Sequence, residues 1–155
     1  MAGRIMALDY GAKTVGVAIS DALGLTAQGK ETIWRKQENQ LRQTLTRIET
    51  LAYEHQVTLV IVGNPKNMNN TLSERSEKSL LFKKKLEDRL NISVKLWDER
   101  LTTAQARRVL QEERISAKEQ KKSLDQMAAI LILQNYLDWQ HWQMAASVIP
   151  SGDIG

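Results

Sequence analysis

The chain has 155 residues, 42% of them hydrophobic, which is enough for one substantial core and too few for two lobes. It has no cysteine, which excludes disulfides, thiolate metal sites and cysteine nucleophiles, and its 22 basic residues against 18 acidic ones suit a polyanionic partner. No apolar run approaches the roughly 18 residues of a membrane span, and the N-terminus has no signal-peptide pattern, so we expect a cytoplasmic protein without membrane contact.

The first predicted element is a hairpin. Residues 4–9 are apolar without helical spacing, residues 15–20 have the same strand character, and Gly11 supplies the turn. The first of these strands ends at Asp9. A carboxylate at the end of a buried strand is costly to desolvate unless it is paired, hydrogen-bonded or bound to a cation. Asp9 is therefore a candidate metal ligand, with a turn-capping role as the alternative.

The rest of the chain predicts a third strand followed by alternating helices and strands. The third strand covers 31–34 and is followed by a helix over 37–55. Next come a strand over 58–62, a helix over 71–90 and a strand over 92–97, and the chain then continues with helices over 102–112 and 123–140. A three-strand meander followed by strand–helix units predicts an α/β fold whose mixed sheet is antiparallel in one half and parallel in the other, with helices on both faces. We expect one domain over 1–143 and a weakly ordered tail over 144–155.

Acidic residues fall at the predicted active edge of this sheet, where the parallel strands have their carboxyl ends. Asp9 ends the first strand, while Asp98 and Glu99 follow the last one, and spacing alone does not choose between those two. On the last helix, Asp125 shares a stripe with Ala129 and later apolar residues, so we expect it to face the sheet. The three elements therefore bring carboxylates toward one place.

Each acid also has a structural alternative. Glu99 precedes a predicted helix, whose dipole favours an acid there, and Ser123 with Gln126 has capping-box spacing, which would make Asp125 a first-turn acid. Taken together, Asp9, one of Asp98 and Glu99, and Asp125 could hold two divalent cations about 4 Å apart for phosphodiester hydrolysis. Oxygen ligands without cysteine favour Mg²⁺ or Mn²⁺.

Four segments closely resemble the YqgF family, also called RuvX. They are LDYGAKTVGVAISD at 8–21, VGNPKNMNNT at 62–71, DERLTT at 98–103 and DQMAAILILQ at 125–134. The resemblance implies an RNase H-like fold and a nuclease that matures the 5′ end of precursor 16S rRNA in immature small ribosomal subunits. An older inference for the family is a Holliday-junction resolvase acting on branched DNA. Asp9, Glu99 and Asp125 match the family's acidic catalytic and metal-binding positions.

Basic residues near the predicted active edge are candidates for substrate binding. Lys13 lies across the turn from Asp9 and is the preferred candidate for the scissile phosphate, whereas Lys66 precedes a helix N-terminus, where free N–H groups favour phosphate. For a lone loop lysine, simple solvation is the alternative. We assign contacts along the RNA backbone to the cations before and within the last helix–helix connection, namely Arg100, Arg107, Arg108, Arg114, Lys118, Lys121 and Lys122.

Other functions stay open at this point. A sugar-kinase or actin-like ATPase begins with a similar hairpin but needs a second lobe. A non-catalytic RNA-binding assembly factor is the stronger rival, because many RNase H-like nucleases carry an acid at the end of the fourth strand, where this chain has Gly63 and Asn64. Trp139 and Trp142 either stack on bases, complete the core or pair with another subunit, which leaves a homodimer open.

Overall fold

The structure, a computed structural model, describes residues 3–64, 74–98 and 117–148, with side chains described over 3–63, 77–97 and 126–144. The predicted helix over 102–112 lies outside these ranges. The elements in chain order are β1 (Arg4–Tyr10), β2 (Thr14–Ser20), β3 (Ala27–Trp34), α1 (Arg42–Glu54), β4 (Val57–Asn64), α2 (Glu74–Leu90), β5 (Ser93–Asp98) and α3 (Ala117–Val148).

The five strands form one mixed sheet in the order β3-β2-β1-β4-β5. Strands β1, β2 and β3 make an antiparallel meander, and β4 and β5 continue the sheet parallel to β1 on its other side. The predicted mixed sheet with an antiparallel and a parallel half is therefore confirmed. Its central strand is β1, which explains why that segment is almost continuously apolar.

Side-chain alternation along β1 divides the core into two layers. Met6, Leu8 and Tyr10 pack in the layer formed with α1 and α2, whereas Ile5 and Ala7 pack in the layer formed with α3. Helices thus cover both faces of the sheet, as predicted. The alternation assigns the next odd-numbered residue of β1, Asp9, to the α3 face.

Helix α1 has the apolar face that its sequence predicts but starts later than expected. All five predicted core residues are buried, namely Leu41, Leu45, Ile48, Leu51 and Ala52. The helix begins at Arg42 instead of 37, because residues before it form a turn in which the Gln40 amide donates to the Gln37 carbonyl at 3.1 Å. The Arg35 side chain also donates to the Glu38 carbonyl at 3.3 Å, which occupies a backbone acceptor of this turn.

Helix α3 is longer than predicted at both ends. It begins at Ala117, so Ser123 lies inside the helix and the predicted capping box with Gln126 is wrong. Residues 117–122 are one alanine followed by Lys, Glu and Gln residues, all of which are strong helix formers. They carry no apolar stripe, so the sequence pattern does not reveal a helix there. The apolar part of the predicted stripe is confirmed, since Ala129, Ile132 and Tyr136 are buried, whereas the side chain of Asp125 lies outside the described set. The helix continues to Val148, into the segment predicted as a tail.

Strand β3 is also longer than the predicted 31–34, because it is an edge strand. Its first residues are polar or glycine and mostly exposed, so they carry no apolar alternation. Within the described parts of the chain, no helix combines the length and apolar character that crossing a membrane requires.

Candidate active site

Asp9 occupies the penultimate position of β1, at the carboxyl end of the central strand. It is partly buried, and its Cα pairs with that of Gly16 across the antiparallel β1–β2 ladder. On the parallel side, Leu8 pairs with Val62, so the next step of the same register brings Gly63 beside Asp9. Neither sheet neighbour of Asp9 therefore contributes a side chain to the α3 face.

Helix α3 passes over the same row of the sheet. Gly16 pairs with Thr32 of β3, and the side-chain amide of Gln126 donates to the Thr32 hydroxyl at 3.2 Å. Because Asp125 immediately precedes Gln126, the helix backbone carries position 125 to the end of the sheet where Asp9 lies. This position is eight residues after Ala117, so the first-turn dipole explanation for Asp125 is lost.

The last parallel strand ends at this edge as well. In β5, Trp97 pairs with Gly63, and Asp98 is the final strand residue, paired with Asn64. Trp97 packs in the α3 layer of the core. Glu99 lies outside the described residues, and the side chains of Asp98 and Asp125 are likewise outside the described set. Among the side chains that are described, no three acids or histidines form a metal-binding group.

The β1–β2 loop holds Lys13 next to this edge. The Gly11 amide donates to the Thr14 carbonyl at 2.8 Å, which closes the turn, and Lys13 is exposed. The Lys13 carbonyl accepts a 2.8 Å hydrogen bond from the Arg35 amide. The loop that presents the preferred phosphate ligand is therefore tied to the end of β3.

Arg35 is a site-supporting residue that sequence reasoning missed. Only 8% of its surface is exposed. Its side chain donates to the carbonyls of Gly11 and Glu38, and its guanidinium carbon lies 4.7 Å from the centroid of the Tyr10 ring. The sequence signal is weak, because an arginine followed by Lys36 after a strand is normally solvated.

The remaining predicted substrate ligands divide by where they fall in the chain. Lys121 and Lys122 lie in the early turns of α3, as does Lys118, but their side chains are not among those described. The other predicted cations lie outside the described residues, namely Lys66, Arg100, Arg107, Arg108 and Arg114. The described side chains of the predicted site are thus Asp9 and Lys13.

The two tryptophans near the end of α3 differ in environment. Trp139 packs against Trp97 and Tyr136, with ring centroids 5.5 and 5.7 Å away, and remains 44% exposed. Trp142 is 69% exposed. Trp139 therefore completes an aromatic cluster at the β5 end of the α3 layer.

The two histidines are partly exposed. His55 is the C-cap residue of α1, and His141 lies on α3.

Comparison with solved structures identifies the fold. A structure titled T. thermophilus RuvC in complex with Holliday junction substrate superposes with a TM-score of 0.53, over 90% of this chain and 96% of that one, at 14% identity. A second Thermus thermophilus RuvC structure gives a TM-score of 0.52 with the same coverage. The predicted RNase H-like fold is confirmed by this similarity.

Comparison with known sequences identifies the family. The family model described as RuvX: Holliday junction resolvase matches residues 3–139. A relative from Listeria monocytogenes serotype 4b (strain CLIP80459), named "Putative pre-16S rRNA nuclease", is 53% identical over 135 residues, which cover 87% of this chain and 97% of the relative. An Oceanobacillus iheyensis relative with the same name is 50% identical, covering 87% and 98%. The family model matches most of this chain, and both relatives are identical to it at half or more of the aligned residues. The chain therefore belongs to the RuvX family.

Proposed function

We propose that this protein is a metal-dependent nuclease that hydrolyses phosphodiester bonds to process the 5′ end of precursor 16S rRNA. The observation that carries the proposal is the position of Asp9, at the carboxyl end of the central strand, between two glycines and on the face covered by α3. Relatives named for a pre-16S rRNA nuclease supply the substrate class.

The residues at this edge fit a divalent metal. Asp9, Glu99 and Asp125 offer only carboxylate oxygens, the ligand type that Mg²⁺ and Mn²⁺ prefer. When bound, a pair of such cations activates water and stabilises the leaving oxygen of the phosphodiester.

We propose Glu99 instead of Asp98 as the carboxylate from the β5 end. Trp97 packs in the α3 layer, on the face that Asp9 shares. Because successive side chains of a strand alternate between faces, an extended continuation of β5 would return position 99, and not position 98, to that face. This argument agrees with the family resemblance, which also selects Glu99.

The remaining work falls to residues that hold the RNA. Lys13 follows Asp9 in the hairpin loop and is exposed, so its ammonium group is available to the scissile phosphate as a point charge. Arg35 is mostly buried and fixes the backbone of this loop. Its side chain donates to the Gly11 carbonyl and its backbone amide donates to the Lys13 carbonyl. We assign further contacts with the RNA backbone to Lys121 and Lys122, whose positions lie in the first turns of α3.

The decisive experiment is cleavage of a 5′-extended 16S rRNA precursor, both free and in immature small subunits, with Mg²⁺ or Mn²⁺. We expect metal-dependent trimming by the wild type and a loss of at least about 100-fold in Asp9→Asn, because a ligand of the reacting centre is removed. Asp21→Asn is the matched control, since it makes the same chemical change in the adjacent β2–β3 loop. Equal trimming by wild type and Asp9→Asn would refute the proposed site.

A non-catalytic RNA-binding assembly factor is the second candidate, favoured by the end of β4. That strand ends in Gly63 and Asn64, so it contributes no acid beside Asp9. This candidate predicts that Asp9→Asn binds precursor RNA normally and rescues rRNA processing in cells lacking the protein.

A four-way DNA junction, assayed as a parallel substrate, tests the resolvase activity named in the family model.

A further inference from the structure

Trp34 is a large aromatic side chain placed in solvent beside the candidate active site. It ends β3 and is 69% exposed. Thr32, two residues earlier, contacts Gln126 of α3, whereas Ile33 between them is buried in the opposite layer of the core. Alternation along the strand therefore assigns Trp34 to the same face of the sheet as Asp9.

The sheet register sets the separation between Trp34 and Asp9. Asp9 pairs with Gly16 and Gly16 with Thr32, so Trp34 lies two strands away and two residues beyond that row. With strands spaced near 4.8 Å and a rise near 3.4 Å per residue, the two Cα atoms are about 12 Å apart. A few nucleotides of an extended strand bridge such a distance.

The surface around Trp34 is basic. Lys13 is exposed in the loop between Asp9 and the Trp34 end of the sheet. On its other side, Trp34 lines a cleft of about 670 Å³ together with Lys36 and Arg42, both exposed. Among the described residues that line this cleft, three are cations, Arg35, Lys36 and Arg42, and none is a carboxylate.

An exposed aromatic ring between cations is the arrangement that binds single-stranded nucleic acid. Every base has a face that can stack on the ring, and every phosphate carries a negative charge that attracts a neighbouring cation. A base within a duplex has both faces covered by its neighbours and cannot use such a ring. A protein-binding role would favour an apolar surround, and here the surround is cationic.

We propose that an unpaired base of the RNA substrate stacks on Trp34 while the adjoining phosphates contact Lys13 and Lys36. This surface, which we call the Trp34 platform, holds the strand on one side of Asp9 and selects unpaired RNA over duplex. The inference rests on the proposed function for its choice of RNA as the partner. It adds a binding subsite and a preference for single strands that the carboxylates alone do not supply.

The test measures binding without cleavage. A fluorescein-labelled oligoribonucleotide of about 12 nucleotides, spanning the 5′ end of mature 16S rRNA, is titrated with protein in EDTA and followed by anisotropy. We expect Trp34→Leu to bind about tenfold more weakly, the usual loss for one stacked base, and Trp34→Phe to retain most of the affinity. Tyr53→Leu is the matched control, because Tyr53 is an aromatic side chain that is 87% exposed in the last turn of α1, and it should change affinity by less than about twofold.

Two further arms show whether the ring stacks. The same RNA annealed to its complement should lose little affinity on Trp34→Leu. An abasic substitution at the stacked position should weaken binding to the wild type by about tenfold and leave binding to Trp34→Leu unchanged, since the same contact is already lost. Equal affinities of the wild type and Trp34→Leu, an equal loss on duplex, or tighter binding of the matching DNA strand would each overturn the platform.

Cleavage assayed separately with Mg²⁺ distinguishes this inference from the proposed function. Wild type that binds through Trp34 but never trims precursor RNA would support the platform and refute the nuclease. Wild type that trims the precursor while Trp34→Leu binds like wild type would refute the platform alone. Failure of the wild type to bind either form of the RNA would refute the platform, whatever the outcome of the cleavage assay.

Discussion

The Arg35 guanidinium lies over the Tyr10 ring, with 4.7 Å from its carbon to the ring centroid. Tyr10 also stacks on Phe82 of α2, with ring centroids 4.3 Å apart. Because Tyr10 directly follows Asp9 in β1, these contacts restrain the end of the strand that carries the candidate metal ligand. The candidate site on the α3 face is therefore positioned partly by packing on the opposite face of the sheet.

Replacing Arg35 should lower both stability and activity. Arg35→Met removes charged donors from the carbonyls of Gly11 and Glu38 and the cation–π contact with Tyr10, which we expect to cost about 2 kcal/mol of unfolding free energy. The β1–β2 loop that presents Lys13 then loses an anchor, so the cleavage rate should fall more than the folded fraction. Urea denaturation and cleavage by fully folded protein measure the two effects.

Arg47→Lys is the control for that change. Arg47 makes a two-pronged contact with Glu31, at 2.7 and 2.9 Å, on the exposed surface of α1. Surface ion pairs contribute little, so this substitution should leave both the urea midpoint and the cleavage rate nearly unchanged. An unchanged cleavage rate in Arg35→Met would show that the loop is held without it.

Truncating Phe82 should destabilise the α2 side of the core. Its side chain is 1% exposed, so Phe82→Ala leaves a cavity beneath Tyr10 and should cost about 3–5 kcal/mol. Leu81→Ala, at the neighbouring position that is 57% exposed, should stay within about 0.5 kcal/mol of the wild type. The midpoints of urea unfolding compare the two, and similar midpoints would contradict the packing described for α2.

Gly29→Ala tests the seating of α3 on the sheet. A Cβ there would lie 3.0 Å from the Gln126 side-chain oxygen and 3.1 Å from the Ile130 terminal methyl, so these two side chains of α3 must shift slightly, at a cost of about 1 kcal/mol. Since Asp125 adjoins Gln126, we expect cleavage to fall as well.

Gly24→Ala separates that effect from general destabilisation. Gly24 has a φ of +70° with open space around its Cβ position, so alanine there is strained by about 1 kcal/mol without touching α3. Thermal unfolding should show similar losses for both glycine variants, whereas only Gly29→Ala should lose cleavage activity. Equal activities would argue against a role for α3 in the site.

The β2–β3 loop should loosen in acid. The Asp21 carboxylate accepts hydrogen bonds from the Thr26 and Leu25 backbone amides at 3.2 and 2.7 Å. These bonds, the one from Thr26 most of all, lower the pKa of Asp21 below the ordinary 3.8. Because the folded pKa lies below the unfolded one, the stabilisation is present above the unfolded pKa and is lost as pH falls through the folded pKa. An NMR titration of the Asp21 carboxyl carbon should give a midpoint below 3.8, and Asp21→Asn should abolish the linked shift of the Leu25 amide.

The central strands could be predicted from sequence because their burial leaves a strong apolar pattern. Strand β1 was predicted almost to the residue, and the apolar face of α1 was predicted completely. The beginning of β3 and the first turns of α3 could not be predicted, because both are polar and carry no periodicity. Local composition misses elements whose regular structure depends on a remote partner.

The candidate site divides in the same way. The convergence of Asp9 with the ends of the parallel strands follows from the order of elements alone. The glycine pair beside Asp9 depends on strand register, and the burial of Arg35 depends on carbonyls from a distant loop. Neither property can be read from a single sequence, because each is set by the tertiary structure.

The placement of α3 has a consequence for when this protein becomes competent. Helix α3 is synthesised after β1, β2 and β3, the strands on which it packs. During translation the hairpin with Asp9 emerges while Asp125 has not yet been made. A nascent chain from which α3 has not yet emerged therefore has an incomplete carboxylate set, and under the proposed function it cannot cut the RNA around it until α3 has emerged and docked.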